Sequence, residues 1–454
     1  FGTHGMMLLV QVVADLRVHP MLGVVGAFAR YLDRSKYELD IIVVDGEKEF
    51  MDEMAGLGGT NEVLDLRRFD RQFDIKELRQ IATIVRDRKC QILIDMAGRT
   101  GNSRVGLFDL RIAPVQVAWA GFPGTSANSA VDYIVADDRA IPRNLANCYS
   151  ERIIRLPGTW LINDHTDRFG RKGGCFDTQK TATRASYGLP PKPATVFVAV
   201  SRAAKLDYSV LSAWCQIVKR VDGSVLWLLG IETDAILRNT LRANWRQECG
   251  AANAGRLLLR EKVMNGEHID AISLADVALD TPLYNDHPFT PHLVDVTGVK
   301  IETGERRHEF EWRGDAMAME RHGSVRYNGG MTSVDILYSG TPLVTLPGAQ
   351  GFMNQRMGAS LAHAVDAKEM IVGSWEEYVE LAVRWANPSS RAKIASKICA
   401  AVTAPSPSTL LFNGVAAVES LAKGLQTAYD RRNKPPKDII APRPKKAKKH
   451  GTRP

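Results

Sequence analysis

No apolar run in the sequence approaches the roughly 18 residues that a membrane-spanning helix needs, so no membrane partner is expected. No secretory signal is present. The chain also lacks an initiator methionine: it starts at Phe1, so a fragment of a longer protein is expected. There is no C-x-x-C pair. The six cysteines (Cys90, Cys148, Cys175, Cys215, Cys249 and Cys399) are scattered, which argues against a zinc site and a disulfide framework. That pattern predicts a reducing compartment, cytoplasmic or nuclear. An excess of positive charge is missing from the body of the chain. The formal net charge is +8, yet residues 431–454 hold ten Lys/Arg and one Asp, a balance of +9. The rest carries about −1, so no basic face for nucleic acid is indicated.

At 454 residues and 45% hydrophobic content the chain reads as a globular protein of two domains. Apolar strands are predicted at 38–46, 91–98, 115–124 and 131–138, after a first strand opening 6–20. Amphipathic helices stand between them, one carrying the stripe Val24, Val25, Phe28, Tyr31 and Leu32. A polar, Gly/Lys-rich stretch over 164–194 reads as a connector. A second set of strands follows at 195–201, 224–230, 256–259, 275–280 and 342–347, with a helix over 206–221 between its first two members. Alternating strands and helices predict parallel sheets covered on both faces. The fold class is therefore two tandem, doubly wound α/β domains. Ligands of such sheets bind beyond the carboxyl ends of the strands, and the cleft between two domains is the natural site. A last long helix over 411–432 runs into a Pro/Lys-rich end, and 425–454 is expected to be a basic disordered tail. Its "KKAKK" could serve as a nuclear address or meet an acidic partner, or simply be solvated.

One stretch asks for a chemical explanation. "NGGMTSVDILYSGTPLVTLPG" (328–348) places a bare glycine turn before a short helix: Val334, Leu337 and Tyr338 fall at i, i+3, i+4, and Gly340 and Pro342 stop the helix. A helix N-terminus approached by glycines is suited to a phosphate, and Asp335 could accept hydrogen bonds from ribose hydroxyls. The alternative is an ordinary cap and turn, the commoner use of glycine-rich turns.

Taken together, "ADLRVHP" (14–20), "QILIDMAGRT" (91–100), "LRIAPVQVAWAGFPGTSA" (110–127), "DYIVAD" (132–137), "YSERIIRLPGT" (149–159), "LADVALDTPL" (274–283) and "VDILYSGTPLVTLPG" (334–348) resemble the catalytic region of the protein O-linked N-acetylglucosamine transferases. Plant Secret Agent and Spindly and bacterial relatives belong to the same superfamily, and the likeness covers most of residues 10–425. The resemblance implies a GT-B fold, with an N-terminal catalytic lobe over 1–165, a connector at 166–186 and a nucleotide-sugar lobe over 187–424. It also implies inverting transfer of GlcNAc from UDP-GlcNAc to Ser or Thr hydroxyls of intracellular proteins, with no cofactor and no metal. The implied partners are the UDP-sugar, protein acceptors and upstream tetratricopeptide repeats that this chain does not contain.

The resemblance also assigns roles. Lys205 lines up with the lysine that contacts the diphosphate; an ammonium there would stabilise charge developing on leaving UDP. His19 matches a histidine near the sugar and acceptor, able to orient a hydroxyl or take a proton. His268 has the spacing of the histidine that stacks on uracil, and Asp335 matches the ribose-binding aspartate. Gly330, Thr332 and Ser333 form the glycine-loop side. Arg202 stands where the family has glutamine, and Gln91 where the animal enzyme has histidine. Arg104, with Gly121, Pro123 and Thr125 of the "GFPGT" loop, matches active-site positions of the N-terminal lobe, where glycine permits close backbone approach to the sugar.

The departures bear on the same site. The family pattern "N-G/A-H-T-T-G-x-D" reads "NGGMTSVD" here, with Gly330 in place of histidine and Met331 in place of threonine. Asn265 replaces a second expected lysine, with Lys262 three residues away. Residues 286–328 are a charged insertion of about 43 residues between "DTPLYN" and the glycine loop. "YNDH" (284–287) and "YNGG" (327–330) allow two joins, and in the first His287 would supply the missing histidine. The insertion reads either as a substrate-gating loop or as translated non-coding sequence, and the absence of clean periodicity favours the second. Two other functions stay open on these departures: a Spindly-like O-fucosyltransferase using GDP-fucose, and an inactive relative that binds nucleotide or partners.

Overall fold

A computed structural model describes residues 6–13, 21–57, 62–65, 75–100, 103–170, 174–176, 182–201, 203–231, 234–261, 263, 267–282, 330–348, 352–406, 408–434 and 437–443. The insertion expected at 286–328 lies outside them, as do His287, Lys262 and Asn265.

Two parallel sheets organise the chain. The first contains β1 (Met7–Val13), β2 (Tyr37–Val43), β3 (Glu62–Asp65), β4 (Ile92–Asp95), β5 (Val115–Ala118), β6 (Tyr133–Asp137), β7 (Arg152–Leu156) and the late β13 (Ile439–Ile440), in the spatial order β13-β7-β6-β5-β4-β1-β2-β3. The second contains β8 (Val196–Val200), β9 (Val225–Leu229), β10 (Leu257–Arg260), β11 (Val277–Leu279) and β12 (Leu343–Val344), in the order β10-β9-β8-β11-β12. A parallel strand covered on both faces needs an unbroken apolar run rather than an alternating one. "MLLVQVV" of β1 is buried at every position and pairs in register with β2, Leu9 opposite Leu39 and Val12 opposite Ile42. In the second lobe Trp214, Trp227 and Trp245 are buried around "VLWLL" of β9. Among the described residues no helix is long and apolar enough to cross a membrane.

Several elements differ from expectation. β3, "EVLD", is a short, half-exposed edge strand whose residues show no apolar run. The helix Ala235–Cys249 buries only Leu241, Trp245 and Cys249 along fifteen residues, so its periodicity is faint. The expected disordered tail is corrected over part of its length. The helix Gly414–Asp430 crosses back to the N-terminal lobe, where a Cβ on Gly424 would stand 2.7 Å from Ile154 of β7. β13 then joins the edge of that sheet, Ile439 opposite Ile154, with Asp438 accepting from the Ile153 amide at 3.0 Å. A two-residue strand inside a Pro/Lys-rich sequence has no periodicity to announce it; it is specified by the edge it pairs with.

The cysteine expectation is also corrected. Cys175 is paired with Cys399 (Cα–Cα 4.9 Å) and Cys215 with Cys249 (5.3 Å), while Cys90 and Cys148 are free. The partners are 224 and 34 residues apart, separations that no local spacing rule detects. The argument for a reducing compartment loses that support.

Candidate active site

All strands of the second sheet run the same way, so the segments leaving β8, β10 and β11 emerge on one edge, where ligands of such sheets bind. The segment after β8 turns through Ala203–Lys205 and buries the Lys205 side chain to 2% exposure. β10 leads to the helix Glu267–Ile272, which carries the buried His268. On the far side of the insertion, Gly330 opens the helix Met331–Tyr338. Lys205, His268, Gly330, Thr332, Ser333 and Asp335 are thus collected on one edge by topology alone.

The opening of that last helix has no side-chain cap, a feature it shares with Met357–Ala364 of the same lobe. The helices Tyr208–Arg220, Ala235–Cys249, Trp375–Ala386 and Pro388–Thr403 are each capped by a side chain, from Asp207, Asp234, Ser374 and Asn387 respectively. Gly330 supplies none. The amides of Met331 and Thr332 thus have no acceptor within the helix and stand at the positive end of its dipole, while Ser333 N already donates to Gly330 O at 3.0 Å. Thr332 and Ser333 are buried in its first turn, and Ser333 Oγ has no hydrogen-bond partner among the described residues. Glycine at 330 is not demanded by the backbone: its φ is −94°, and a Cβ there would make only ordinary contact, 3.7 Å from Met357 Sδ.

Asp335 lies between two histidines. His165 Nε2 is 2.7 Å from Asp335 Oδ1, and His268 Nε2 is 3.6 Å from Oδ2. Burial by itself would raise the Asp335 carboxyl; the hydrogen bond from His165, with His268 close on the other side, outweighs it and holds the group well below the usual carboxylate range. His165 was not singled out from the sequence. It stands in "NDHTDRF", just after β7 and on the opposite lobe from Asp335, and only "an N-cap-like Asp before a buried His" could have drawn notice. Further contacts seat the same helix on the segment leaving the N-terminal lobe. Burial pushes the Tyr338 phenol up to about 12, so it stays a donor and bonds Gly170 O at 2.5 Å. Gly174 N donates to Ser339 O at 2.7 Å, and Gly340 packs against both sulfurs of the Cys175–Cys399 pair.

The edge of the first sheet is built differently. Gly121 and Pro123 are buried in the loop after β5, and Arg104 is buried at the start of the helix Val105–Asp109 after β4. A Cβ on Gly121 would stand 2.1 Å from Met96 O, so the glycine is required by loop-against-loop packing. That gives the glycine a reason internal to the protein. Thr125 Oγ1 donates to Glu151 Oε2 at 2.7 Å, accepts from Ala127 N, and meets Ser150 Oγ at 2.9 Å. Ser126 N donates to Glu151 Oε1 at 2.6 Å, and Arg99 donates to Ser126 O. Thr125 therefore closes the loop rather than presenting a free hydroxyl.

Gln91 is a correction. It precedes β4, at the amino end of the sheet, where its buried Oε1 accepts from Leu8 N at 2.6 Å. It stands on the edge opposite the other candidates, and its role is to join the starts of β1 and β4. His19 and Arg202 lie outside the described residues. The two lobes touch where Ser360 donates to Asp137 at 2.6 Å and Arg356 donates to Arg139 O at 2.7 Å.

Comparison with known proteins adds to this geometry. The family model described as glycosyl transferase family 41 matches residues 9–173, 175–302 and 320–420, leaving out 303–319 inside the insertion. A protein of Arabidopsis thaliana named probable UDP-N-acetylglucosamine–peptide N-acetylglucosaminyltransferase SEC is 31% identical over 304 residues, 67% of this chain and 26% of that protein. A UDP-N-acetylglucosamine–peptide N-acetylglucosaminyltransferase of Caenorhabditis elegans is 24% identical over 398 residues, covering 64% and 30%. The chain thus spans less than a third of the length of either relative. Among solved structures, an O-GlcNAc transferase point mutant from Thermobaculum terrenum is similar with a TM-score of 0.69 at 22% identity, over 94% of this chain and 68% of that one. The fold shared with it is GT-B: two Rossmann-like lobes.

Proposed function

Since the chain belongs to glycosyl transferase family 41, we propose that it transfers N-acetylglucosamine from UDP-GlcNAc to Ser or Thr hydroxyls of proteins, with inversion and without a metal. The acceptors are assigned to the nucleus or cytoplasm on the resemblance. The observation that carries the reading is the convergence of Lys205, His268, Asp335 and the uncapped Met331–Tyr338 helix on one sheet edge. Departure of UDP puts negative charge on the diphosphate. Lys205 and the first-turn amides of that helix are the groups suited to meet it, and preorganised donors are worth most where charge develops. Asp335 is suited to the ribose hydroxyls and His268 to the uracil face. Gly330 leaves this site with one fewer side-chain donor than the family pattern has, which predicts a weaker grip on the diphosphate.

Calorimetry with UDP on the full chain and on Lys205→Ala tests the reading. Binding to the wild type, weakened about tenfold or more in the variant, is expected from losing a charged partner. Side-by-side turnover with UDP-GlcNAc and GDP-fucose then separates donors. Absence of UDP binding by the wild type sinks the proposal.

A further inference from the structure

His165 has a single polar side-chain contact among the described residues, the hydrogen bond to Asp335. The ring is 2% exposed and lies among Phe169, Tyr338 and Phe412, at centroid distances of 5.0, 5.5 and 6.4 Å. It has no route to a ligand of its own. Its Nδ1 is buried and has no partner among the described residues. A hydrogen on Nδ1 would therefore be an unsatisfied buried donor, and the tautomer with hydrogen on Nε2 is favoured. That hydrogen points at Asp335 Oδ1, making a charge-assisted bond. His268, at 3.6 Å from the other oxygen, lies beyond firm hydrogen-bonding distance. A carboxylate has about four lone-pair sites, and the Asp335 side chain keeps 21% exposure. One side of the carboxylate is thus held by a buried imidazole and another remains open.

His165 is also fixed from the N-terminal lobe. It follows Asp164, which is fully buried, bonds Arg168 at 3.0 Å, and would be 2.9 Å from a Cβ on Gly26 in the helix Met21–Tyr31. Asn163 next to it accepts from the His165 amide at 3.2 Å and donates to Leu411 O at 2.8 Å. The imidazole cannot move without the segment that joins the lobes.

We propose that His165 is a positioning residue of the donor site: through Nε2–H it sets the aim of the Asp335 carboxylate at the nucleotide ribose, and it ties that aim to the placement of one lobe against the other. This rests on the reading of Asp335 as the ribose acceptor given above.

The test compares UDP with 2′,3′-dideoxy-UDP by calorimetry on the full chain, for wild type, His165→Phe and His165→Gln. Loss of an aimed, charged hydrogen-bond acceptor is expected to weaken UDP about tenfold in His165→Phe. Binding of the dideoxy nucleotide, which has no ribose hydroxyl to offer, stays within about twofold of wild type. The glutamine variant, with an amide donor, recovers most of the UDP affinity. Equal losses for both nucleotides, or glutamine no better than phenylalanine, would make His165 a structural residue only and overturn the proposal. Should the variants fail to fold, 15N-histidine spectra of the wild type decide: the Nε2 signal is protonated and shifts with UDP but not with the dideoxy nucleotide, and a signal indifferent to both overturns it. Wild type that binds neither nucleotide removes the donor-site reading itself. Wild type that binds UDP with unaffected variants removes only the role of His165.

Discussion

The two sheet edges that carry the candidate residues are opposites in how they spend their polar groups. On the C-terminal lobe the helix Met331–Tyr338 starts at a glycine with no side-chain cap, Ser333 Oγ is buried without a partner among the described residues, and Asp335 has one side open. On the N-terminal lobe the loop after β5 is closed on itself: Thr125, Ser126 and Arg99 satisfy one another through Glu151 and the backbone. Burying a polar group without a partner costs stability, so an edge that leaves several open is arranged for something that arrives. The closed loop supplies shape instead. Substitutions on the closed loop should therefore reach stability and spare nucleotide affinity, while those on the open edge should do the reverse.

Three measurements sharpen or break that contrast. The largest effect is expected at Gly121→Ala. A methyl 2.1 Å from Met96 O forces the two loops apart, and overpacking against backbone costs about 3 kcal/mol. Urea unfolding reads the loss; a variant as stable as wild type would show that the loops have slack. Next comes Glu151→Gln. Its amide cannot accept from both Thr125 and Ser126, and the buried mismatch costs about 1–3 kcal/mol. UDP affinity should stay within about twofold, and a UDP loss as large as that of Lys205→Ala would erase the distinction between the edges. The smallest effect is pH-dependent and lies where the lobes meet. His363, on the same helix as Ser360, is half-buried; desolvation first, then Arg139, Lys368 and Arg356, lower it to about 4. The unfolded chain, titrating near about 6.5, binds more protons in between, so this group's contribution to stability falls as pH drops from about 6.5 to about 4. Urea midpoints measured across that window should decline less steeply in His363→Asn, and identical slopes would exclude the desolvated placement.

Much of the architecture was legible before any coordinate. The runs "LLVQVV", "DIIVV", "TVFVAV" and "VLWLL" are apolar without alternation, which is what strands buried on both faces require, and all four lie in parallel strands. The helix after the glycine turn was readable from Val334, Leu337 and Tyr338, and the resemblance singled out Lys205, His268 and Asp335, which the fold collects on one sheet edge. The sequence was silent where a contact depends on a distant partner. Gln91 sits in a recognisable motif but at the amino end of its strand, and one residue's position relative to a sheet edge is invisible to motif matching. Gly121 serves Met96, and Thr125 serves Glu151, pairings 25 and 26 residues apart.

By itself the sequence determined two parallel α/β lobes, the order of their strands along the chain and the glycine-opened helix, because hydrophobic period and helix punctuation are properties of neighbouring residues. Only the tertiary structure decided that His165 meets Asp335 across 170 residues, that Cys175 meets Cys399, and that the chain returns through Gly414–Asp430 and β13 to finish the first sheet. Those contacts depend on which surfaces the folded lobes bring face to face, and no local pattern carries the identity of a partner that far away.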